Sequence, residues 1–402
     1  MLIKEGDNVV MFDNSSNYRI IKVKATGKKI KHFKAMIDLS QLIGKEWGSF
    51  FEVKDSKSGQ LQQVTDVHSL TAAFLEDVDF SNGANPADEE EEKQEQINTS
   101  SANQGSNTIN INQVTGRDNR DYVDDNKSQK LTHEQIEDLK KQGITGNELI
   151  NHLVQNSDTF AKRTKFSQEK YLRKKKQKYL VTFQVKKPTA FELCNVYSQT
   201  NPVKIMALRP DSLGLLLNMA NINYESRVLL CDKTRGLLAG SLVERDVREI
   251  MHVEFSGHQV KLTTEILMEF NFDYQRTKVI QYVQHSTINK EETKSDPLLQ
   301  QLLQPKTKHF NSVMIVHDDY HPTEIYQSIE HLVQPSASVV AFSQYIQPLA
   351  ELRDYLVYQK KAVNVRIEEL WTREYQVLPL RTHPHMSMHG ASGFVLSAVK
   401  VE

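Results

Sequence analysis

The segment 227–240 is where residue types and spacing most suggest chemistry, and it reads RVLLCDKTRGLLAG. An apolar strand that turns into a helix in this way is where α/β folds bring backbone N–H groups against a cofactor, and that close approach requires glycine. Here bulky side chains fill positions 232–235, and Gly236 alone remains of the expected cluster. The segment is therefore either a cofactor loop that has lost its glycines or an ordinary strand, turn and helix.

A methyltransferase or dehydrogenase of this architecture also needs an acid about 20 residues later for the ribose hydroxyls, and a catalytic group at a later strand end. Glu254 and either Asp318 or Asp319 occupy such places, and each has a plain alternative as a loop residue after a strand. Asp232 would place its charge near the cofactor's carboxylate. Burial of such a charge without a partner costs a few kcal/mol, which corresponds to roughly a hundredfold loss of cofactor affinity. We therefore expect no catalytic, cofactor-binding or metal-binding residue in this chain.

Charge is segregated along the chain, although 50 basic and 51 acidic side chains nearly cancel. Residues 76–96 contain nine acids and one base, a net charge of -8, whereas residues 162–178 contain nine bases and one acid, a net charge of +8. Segregation on this scale predicts a solvated linker at the acidic stretch and an anionic partner for the basic one.

The composition is that of a globular protein with more than one domain, since 402 residues with 39% hydrophobic side chains can build two or three cores. Cys194 and Cys231 form no ligand pair, which argues against a disulfide framework or zinc site and favours a reducing compartment. The amino terminus lacks a secretion signal and no apolar run reaches 18 residues, so we expect a soluble intracellular protein without a membrane partner.

Composition and periodicity divide the chain into four parts. Residues 1–80 alternate like short strands, which predicts a small β-rich domain, barrel-like or a sandwich. Residues 81–119 have almost no large apolar side chain and are expected to form an acidic disordered linker. Residues 120–179 predict a helical connector opened by capping boxes, and residues 180–402 predict an α/β domain with a mostly parallel sheet and a polar insertion at 284–309.

Basic side chains in two places are the candidates for contact with RNA phosphate. One is a helix from about Ser167 that is basic over most of its circumference, and the other is a lysine-rich hairpin near the amino terminus. The predicted RNA-binding residues are Lys162, Arg163, Lys165, Lys170, Arg173, Lys174, Lys175, Lys176, Lys178, Lys28, Lys29 and Lys31. A solvated charge run, or a nuclear-import signal at 173–178, remains an open alternative for these residues.

Three blocks of the sequence resemble one known family. They are DNRDYVDDNKSQKLT at 118–132, NSDTF at 156–160 with the later Lys165-Phe166 and Glu169-Lys-Tyr171, and WTREYQVLP at 371–379 with the His-Pro at 383–384. Together they resemble the non-catalytic, tRNA-binding subunit of eukaryotic tRNA (adenine-N1)-methyltransferase, the enzyme that makes 1-methyladenosine in the T loop. The resemblance leaves out mainly the acidic linker and the insertion.

The resemblance implies a Rossmann-like class I methyltransferase fold at the carboxyl end that is degenerate in its cofactor site. It implies pairing with a catalytic subunit that binds S-adenosylmethionine, in a heterotetramer with two copies of each subunit, and we expect the complex in the nucleus. Active relatives carry Gly-Thr-Gly-Ser-Gly at the positions of 232–236 and Asp-x-Pro-x-Pro-Trp at the positions of 318–323. Asp318 thus falls on the catalytic aspartate's position, and Thr323 replaces an aromatic residue beside the target base.

Two other functions stay open at the level of the sequence. A rebuilt loop would let the chain bind the methyl donor itself and act as an RNA methyltransferase through Asp318. A scaffold in translation or RNA processing would need no methyltransferase partner. The subunit could also help to shape the partner's active site, so that neither chain methylates tRNA alone.

Overall fold

The structure is a computed structural model that describes residues 2–13, 17–26, 29–32, 35–55, 58–65, 129–141, 144, 146–157, 159–160, 165–255, 264–288, 309–377 and 382–401. The predicted acidic linker lies outside these residues, as does most of the predicted insertion. Within the described ranges, no helix has the length and apolar character needed to cross a membrane.

The amino-terminal part forms a small antiparallel β domain. Five of its strands pair in the order β2-β1-β7-β5-β6, and β3 and β4 form a separate hairpin. Alternate side chains point into one core, in which the rings of Phe51 and Phe183 stack with centroids 5.8 Å apart. The strands are β1 (Asn8–Asp13), β2 (Tyr18–Lys22), β3 (Lys29–His32), β4 (Ala35–Asp38), β5 (Phe50–Asp55), β6 (Gln60–Val64) and β7 (Thr182–Lys186).

Strand β7 corrects the predicted domain boundary at residue 180. It pairs antiparallel with β1, where Met11 lies opposite Val185, and with β5, where Phe51 lies opposite Phe183. Phe183 and Val185 are fully buried in the amino-terminal core. Alternation of apolar and polar residues shows that a strand has one buried face, but it does not show to which sheet the strand belongs. The sequence therefore left the assignment of β7 undetermined. The β domain is therefore completed by a strand that follows the helical connector.

The connector contains three helices, α1 (His133–Lys141), α2 (Gly146–Gln155) and α3 (Lys165–Tyr179). The predicted capping box at the start of α1 is confirmed, because Thr132 N donates to Gln135 Oε1 at 3.0 Å and Gln135 N donates to Thr132 Oγ1 at 3.3 Å. Helices α2 and α3 pack through Ile150 and Leu172, together with Phe160. This small core holds α3 by one side.

The carboxyl-terminal part is an α/β domain whose seven-stranded sheet has the order β10-β9-β8-β11-β12-β16-β13. Its strands are β8 (Arg227–Asp232), β9 (Glu249–Glu254), β10 (Ile280–Gln284), β11 (Phe310–Val316), β12 (Val333–Ser343), β13 (Ala362–Trp371) and β16 (Ala391–Lys400), with the short pair β14 (Tyr375–Gln376) and β15 (His383–Pro384) outside the sheet. In the sheet order, the five neighbouring strands β10, β9, β8, β11 and β12 are parallel. Strand β16 is antiparallel to both of its neighbours, β12 and β13. The predicted mostly parallel sheet is thus confirmed.

Helices cover both faces of this sheet and create two apolar layers. Alternation along β8 sends Leu230 into one layer and Leu229 and Cys231 into the other. The helices of this domain are α4 (Ala190–Thr200), α5 (Pro210–Met219), α6 (Leu237–Glu244), α7 (Tyr274–Thr277), α8 (His285–Ile288), α9 (Pro322–Ile329) and α10 (Ile346–Tyr358). The first layer packs against α4, α5 and α6, and the second against α9 and α10.

Strand β10 and helix α8 correct the predicted start of the insertion at residue 284. β10 is an outer strand that pairs in parallel with β9, and Val283 is its one fully buried side chain. A strand with so little apolar burial has no clear sequence signal. The sheet therefore continues to Gln284 and a helical turn follows it, so residues 284–288 belong to the described α/β domain.

The two domains meet through matched polar groups. Asn271 accepts from Asn8 N at 2.7 Å and donates to Asn8 O at 2.8 Å, so its side chain binds both backbone groups of one residue. On the next strand, the Tyr18 hydroxyl accepts from Asn195 Nδ2 of α4 at 2.8 Å. Val10 of β1 packs into an apolar layer of the α/β domain. The β domain is therefore fixed against the α/β domain.

Candidate functional site

Strands β8, β9 and β11 end together at one edge of the sheet, which we call the carboxyl edge. Asp232 lies opposite Val316 in the parallel register of β8 and β11, and His252 lies opposite Leu230 in that of β8 and β9. The residues that follow these strands are therefore neighbours in space. Open α/β sheets bind ligands at this edge, and the structure brings positions 232–236, Glu254 and Asp318 together here.

Asp232 and His252 form a buried ion pair at the carboxyl edge, with 5% and 2% of their surfaces exposed. His252 Nε2 lies 2.6 Å from Asp232 Oδ1. The second carboxylate oxygen accepts from Thr234 N at 3.1 Å and from the Thr234 hydroxyl. The Asp232 carboxylate is thus enclosed by groups of the chain itself.

The ionised state of this pair is favoured although it is buried. Burial acts to raise the pKa of Asp232, but the hydrogen bond and charge of His252 and the bonds from Thr234 outweigh it and lower that pKa. Burial likewise acts to lower the pKa of His252, whereas the hydrogen bond and charge of Asp232, with the charge of Glu254, raise it. Each partner therefore favours the charged form of the other.

The turn after Asp232 has a left-handed backbone at two successive positions and is filled with side chains. Arg235 and Gly236 both have left-handed φ angles, 55° and 92°, and a side chain at such a position costs on the order of 1 kcal/mol. Arg235 gains an ion pair with Glu265 at 2.8 Å in this conformation. The Thr234 hydroxyl accepts from Leu238 N at 3.1 Å, so it takes a first-turn donor of α6 that would otherwise face an anion.

Lys233 occupies the space between the ends of β8 and β11. Its ammonium nitrogen lies 2.9 Å from Asp318 Oδ1 and 2.7 Å from Asp319 Oδ1. Burial acts to lower the pKa of Lys233, but the two hydrogen bonds and the charges of the two aspartates raise it. The ligand atoms of His317, Asp318 and Asp319 lie within 4.8 Å of one another, as a metal site would require. A lysine already supplies the positive charge between the two carboxylates, so Asp318, which the family resemblance aligns with a catalytic aspartate, is ion-paired.

Sequence reasoning missed an aromatic cluster beside these charges. The ring of Phe255 lies 4.3 Å from that of His285, 5.6 Å from that of Tyr320 and 6.1 Å from that of His317. Burial lowers the pKa of both histidines, which favours their neutral forms. The available signal was that Phe255, His285 and His317 each directly follow the last residue of a strand. Thr323, which replaces the expected aromatic, lies in the first turn of α9.

A second group of charges surrounds the turn on the side of α4. Glu265 lies 2.6 Å from Lys204 in addition to its contact with Arg235. The Tyr197 hydroxyl lies 2.9 and 3.0 Å from the carboxylate oxygens of Glu269 and donates to that group. Burial raises the pKa of Glu269 to about 7, and the charge of Glu265 adds to the effect. Arg235 of the turn is thus tied to the segment that contains Glu269.

The basic helix α3 presents part of its charge to solvent. Lys170 and Lys174 are exposed and stand one turn apart, so they lie on the same side of the helix. Lys175 is half-buried, with its ammonium 5.1 Å from the Tyr171 ring centroid and 5.9 Å from that of Tyr179. Cation–π contacts at this distance hold a lysine in place without neutralising it.

The remaining predicted RNA-binding residues divide into three groups. Lys29 and Lys31 are exposed on one side of β3, and Lys176 is half-buried on α3. Lys165, Arg173 and Lys178 lie on α3, and the structure describes their backbone only. Lys162, Arg163 and Lys28 lie outside the described residues.

The sheet order and the helices on both faces define a Rossmann-like α/β fold of the kind found in class I methyltransferases. The S-adenosylmethionine-dependent O-methyltransferase of Thermotoga maritima superposes with a TM-score of 0.53 at 9% identity, covering 100% of this chain and 95% of that one. The tRNA (m1A58) methyltransferase TrmI of Aquifex aeolicus gives a TM-score of 0.51 at 13% identity, with 100% of both chains covered. The predicted Rossmann-like fold is confirmed.

The chain belongs to the Gcd10p family, whose model matches residues 2–352. A relative from Dictyostelium discoideum is 31% identical, covering 100% of this chain and 80% of that protein, and is named tRNA (adenine(58)-N(1))-methyltransferase non-catalytic subunit. The subunit of the same name from Mus musculus is 26% identical, covering 99% of this chain and 88% of that protein. The family resemblance of the three sequence blocks is thereby confirmed.

Proposed function

We propose that this chain is the non-catalytic subunit of a tRNA (adenine-N1)-methyltransferase, which binds tRNA and supports a separate catalytic subunit. The observation that carries the proposal is the closed carboxyl edge. Asp232 is enclosed by His252 and Thr234, and Lys233 is bound to the two aspartates after β11. The membership in a family whose relatives are named as non-catalytic subunits supports the same function.

Binding of S-adenosylmethionine at this edge would require the chain to give up contacts that it makes with itself. The donor's carboxylate would need backbone N–H groups at the turn and at the start of α6, where Thr234 accepts from Leu238 N. The Lys233 ammonium already lies between the carboxylates of Asp318 and Asp319, so a cationic ligand at these carboxylates would have to displace it. We therefore expect the methyl donor to bind in the catalytic subunit and not in this chain.

The tRNA-binding role rests on the exposed lysines of α3 and of the β3–β4 hairpin. Lys170 and Lys174 present two ammonium groups on one side of a helix, and Lys29 and Lys31 present two on a strand. Phosphate contacts of this kind position a folded RNA without reading its sequence. A nuclear location and a heterotetramer with two copies of each subunit belong to the same proposal, and the basic run at 173–178 supports the nuclear location.

Reconstitution tests this function against the alternative of an active enzyme. This chain and the catalytic subunit are purified separately, and methyl transfer to tRNA is measured for each alone and for the mixture. We expect activity only in the mixture, and we expect Asp318→Asn in this chain to change it less than about twofold, whereas replacement of the partner's catalytic aspartate abolishes it. Methyl transfer by this chain alone, abolished by Asp318→Asn, would show that it is the enzyme.

A further inference from the structure

The turn at the carboxyl edge is connected to the β domain through one short stretch of chain. We call residues 264–272, which precede α7, the linking segment. At its start, Ile266 N donates to Arg235 O at 2.9 Å, and Glu265 pairs with the Arg235 guanidinium at 2.8 Å. The backbone and the side chain of one turn residue therefore both hold the start of the linking segment.

The middle of the linking segment packs against the helix that begins at the turn. Ile266 and Phe270 are 0% and 1% exposed and lie in the apolar layer that covers α6. A Cβ atom at Gly240 of α6 would overlap the Phe270 ring, so the ring occupies space that only a glycine leaves free. The Tyr197 hydroxyl of α4 donates to Glu269 at 2.9 Å. The linking segment is therefore fixed relative to the turn and to α4.

The end of the linking segment holds the first strand of the β domain. The Asn271 amide binds both backbone groups of Asn8, and the Asn8 side chain donates to Met268 O at 3.1 Å. Asn271 has a left-handed φ of 58°, a conformation in which asparagine is enriched. Asn8 is the first residue of β1, so three hydrogen bonds determine where that strand begins.

The series of contacts continues through the β domain to the lysines of its hairpin. β1 pairs with β2, where Met11 lies opposite Arg19. The Arg19 guanidinium donates to Lys31 O at 3.0 Å, so β2 holds the backbone of β3. Lys29 and Lys31 are exposed on this strand. Contacts therefore lead without a break from the turn at the carboxyl edge to two predicted RNA-binding lysines.

The place of these lysines matters because phosphate contacts orient an RNA without reading its sequence. Such contacts fix one orientation only when the cations stand at set distances from the rest of the binding surface. A displacement of about 1 Å far from a reaction centre can reduce a rate many-fold. Tyr18 and Val10 also contact the α/β domain, so loss of the bonds to Asn8 should shift the β domain without detaching it.

We propose that the linking segment is a positioning element for tRNA, which sets the place of Lys29 and Lys31 relative to the α/β domain. Arg235 and Asn271 are its positioning residues, one near each end. This inference rests on the proposed function for the contact of the two lysines with tRNA. By the family resemblance, the turn stands where active relatives bind the cofactor, and in this chain it helps to place the RNA.

A double-mutant cycle tests the positioning role. Asn271→Gly suits the left-handed backbone and removes the amide that binds Asn8, and Asn221→Gly makes the same change at an exposed asparagine with a φ of 51°. Each is combined with Lys29→Ala and Lys31→Ala in the complex with the catalytic subunit, and kcat and KM for unmodified tRNA are measured. We expect Asn271→Gly to raise KM about fivefold with kcat retained, and to have no further effect once both lysines are replaced. Asn221→Gly should match wild type.

A rise in KM of the same size with and without the two lysines would overturn the proposal, because Asn271 would then act independently of them. An unchanged KM in Asn271→Gly overturns it as well. If Asn271→Gly unfolds, Arg235→Gly takes its place, since it suits the left-handed backbone and removes only the ion pair with Glu265. The proposal then requires a rise in KM that disappears when both lysines are replaced, and any other result contradicts it.

The lysine variants separate this inference from the proposed function. If Lys29→Ala with Lys31→Ala leaves KM unchanged while the wild-type complex methylates tRNA, there is no lysine contact to position, and the inference fails alone. A wild-type complex that neither binds nor methylates tRNA would instead contradict the proposed function.

Discussion

The carboxyl edge and helix α3 are both rich in charged side chains, and they use them in opposite ways. At the carboxyl edge, Asp232 and His252 bind each other in near-complete burial, and Lys233 binds two aspartates. On α3, Lys170 and Lys174 point into solvent on one side of the helix. Charges that bind one another in the interior are withdrawn from solvent, and removal of one partner is costly, whereas exposed like charges are available to an anionic partner.

At the carboxyl edge, side chains that bind one another stand on a fold shared with methyltransferases. The turn at 232–236 still adopts left-handed angles at Arg235 and Gly236, and the strands still end at one edge. By the family resemblance, Asp232 and Thr234 stand where active relatives have glycine, and Lys233 stands where they have threonine. The Lys233 ammonium and the Thr234 hydroxyl bind carboxylates at that edge. The carboxyl edge is thus filled by contacts that the chain makes with itself.

Replacement of His252 should cause the largest loss in the free energy of unfolding. His252→Ala leaves the Asp232 carboxylate buried without its partner, and breaking a buried pair in this way costs about 3–5 kcal/mol. The measurement is the free energy of unfolding in urea at pH 6. A double variant, Asp232→Asn with His252→Gln, is the control and should recover part of the loss. A loss below about 1 kcal/mol in His252→Ala would show that the pair does not close the edge.

The same pair has a predicted pH dependence. The pKa of Asp232 is below its ordinary 3.8, so its contribution is present above that pH and is lost as the pH falls through the folded-state pKa. The pKa of His252 is above its ordinary 6.5, so its contribution is present below that pH and is lost as the pH rises through the folded-state pKa. The stability difference between wild type and the double variant should therefore be largest between these two values.

Exposed lysines on α3 should show the opposite behaviour, a loss of binding without a loss of stability. Lys170→Ala with Lys174→Ala should weaken tRNA binding about tenfold and reduce the slope of log affinity against log salt by roughly 0.7 to 0.9 per lost phosphate contact. Lys278→Ala with Lys360→Ala removes the same charge from exposed positions of the α/β domain. Binding curves at several salt concentrations compare the two variants. Equal slopes for both would remove α3 from the RNA surface.

Replacement of Glu269, beside the turn, should have a smaller effect on stability, and that effect should depend on pH. Its pKa is raised to about 7 by burial, so the folded state binds the proton more tightly than the unfolded state, and stability falls as the pH rises from about 4.5 to 7. Glu269→Gln removes this loss and should raise the thermal midpoint at pH 8 but not at pH 5. A midpoint that is shifted equally at both pH values would contradict the assignment.

Lys233 should contribute least to stability. Its ammonium and both of its carboxylate partners are partly exposed, and ion pairs in such positions contribute about 0–1 kcal/mol. Lys233→Met should therefore change the free energy of unfolding by less than about 1 kcal/mol. A larger loss would show that Lys233 closes the edge as firmly as His252 does.

The sequence predicted the fold class and the replaced turn, because alternation, strand spacing and missing glycines are local signals. It did not predict His252 as the partner of Asp232, since 20 residues separate them and only the parallel register of β8 and β9 brings them together. The sheet assignment of β7 was missed for a similar reason, because Phe183 and Val185 would be buried equally well in either domain. β10 was missed because an outer strand with one fully buried residue leaves little apolar pattern.

Calorimetric titration of the full chain with S-adenosylmethionine tests the central claim most directly, that the chain's own side chains close the carboxyl edge. We predict no measurable binding, with a dissociation constant weaker than roughly 1 mM, while the complex with the catalytic subunit binds the donor. Micromolar binding by this chain alone would show that the edge is open and would contradict the account.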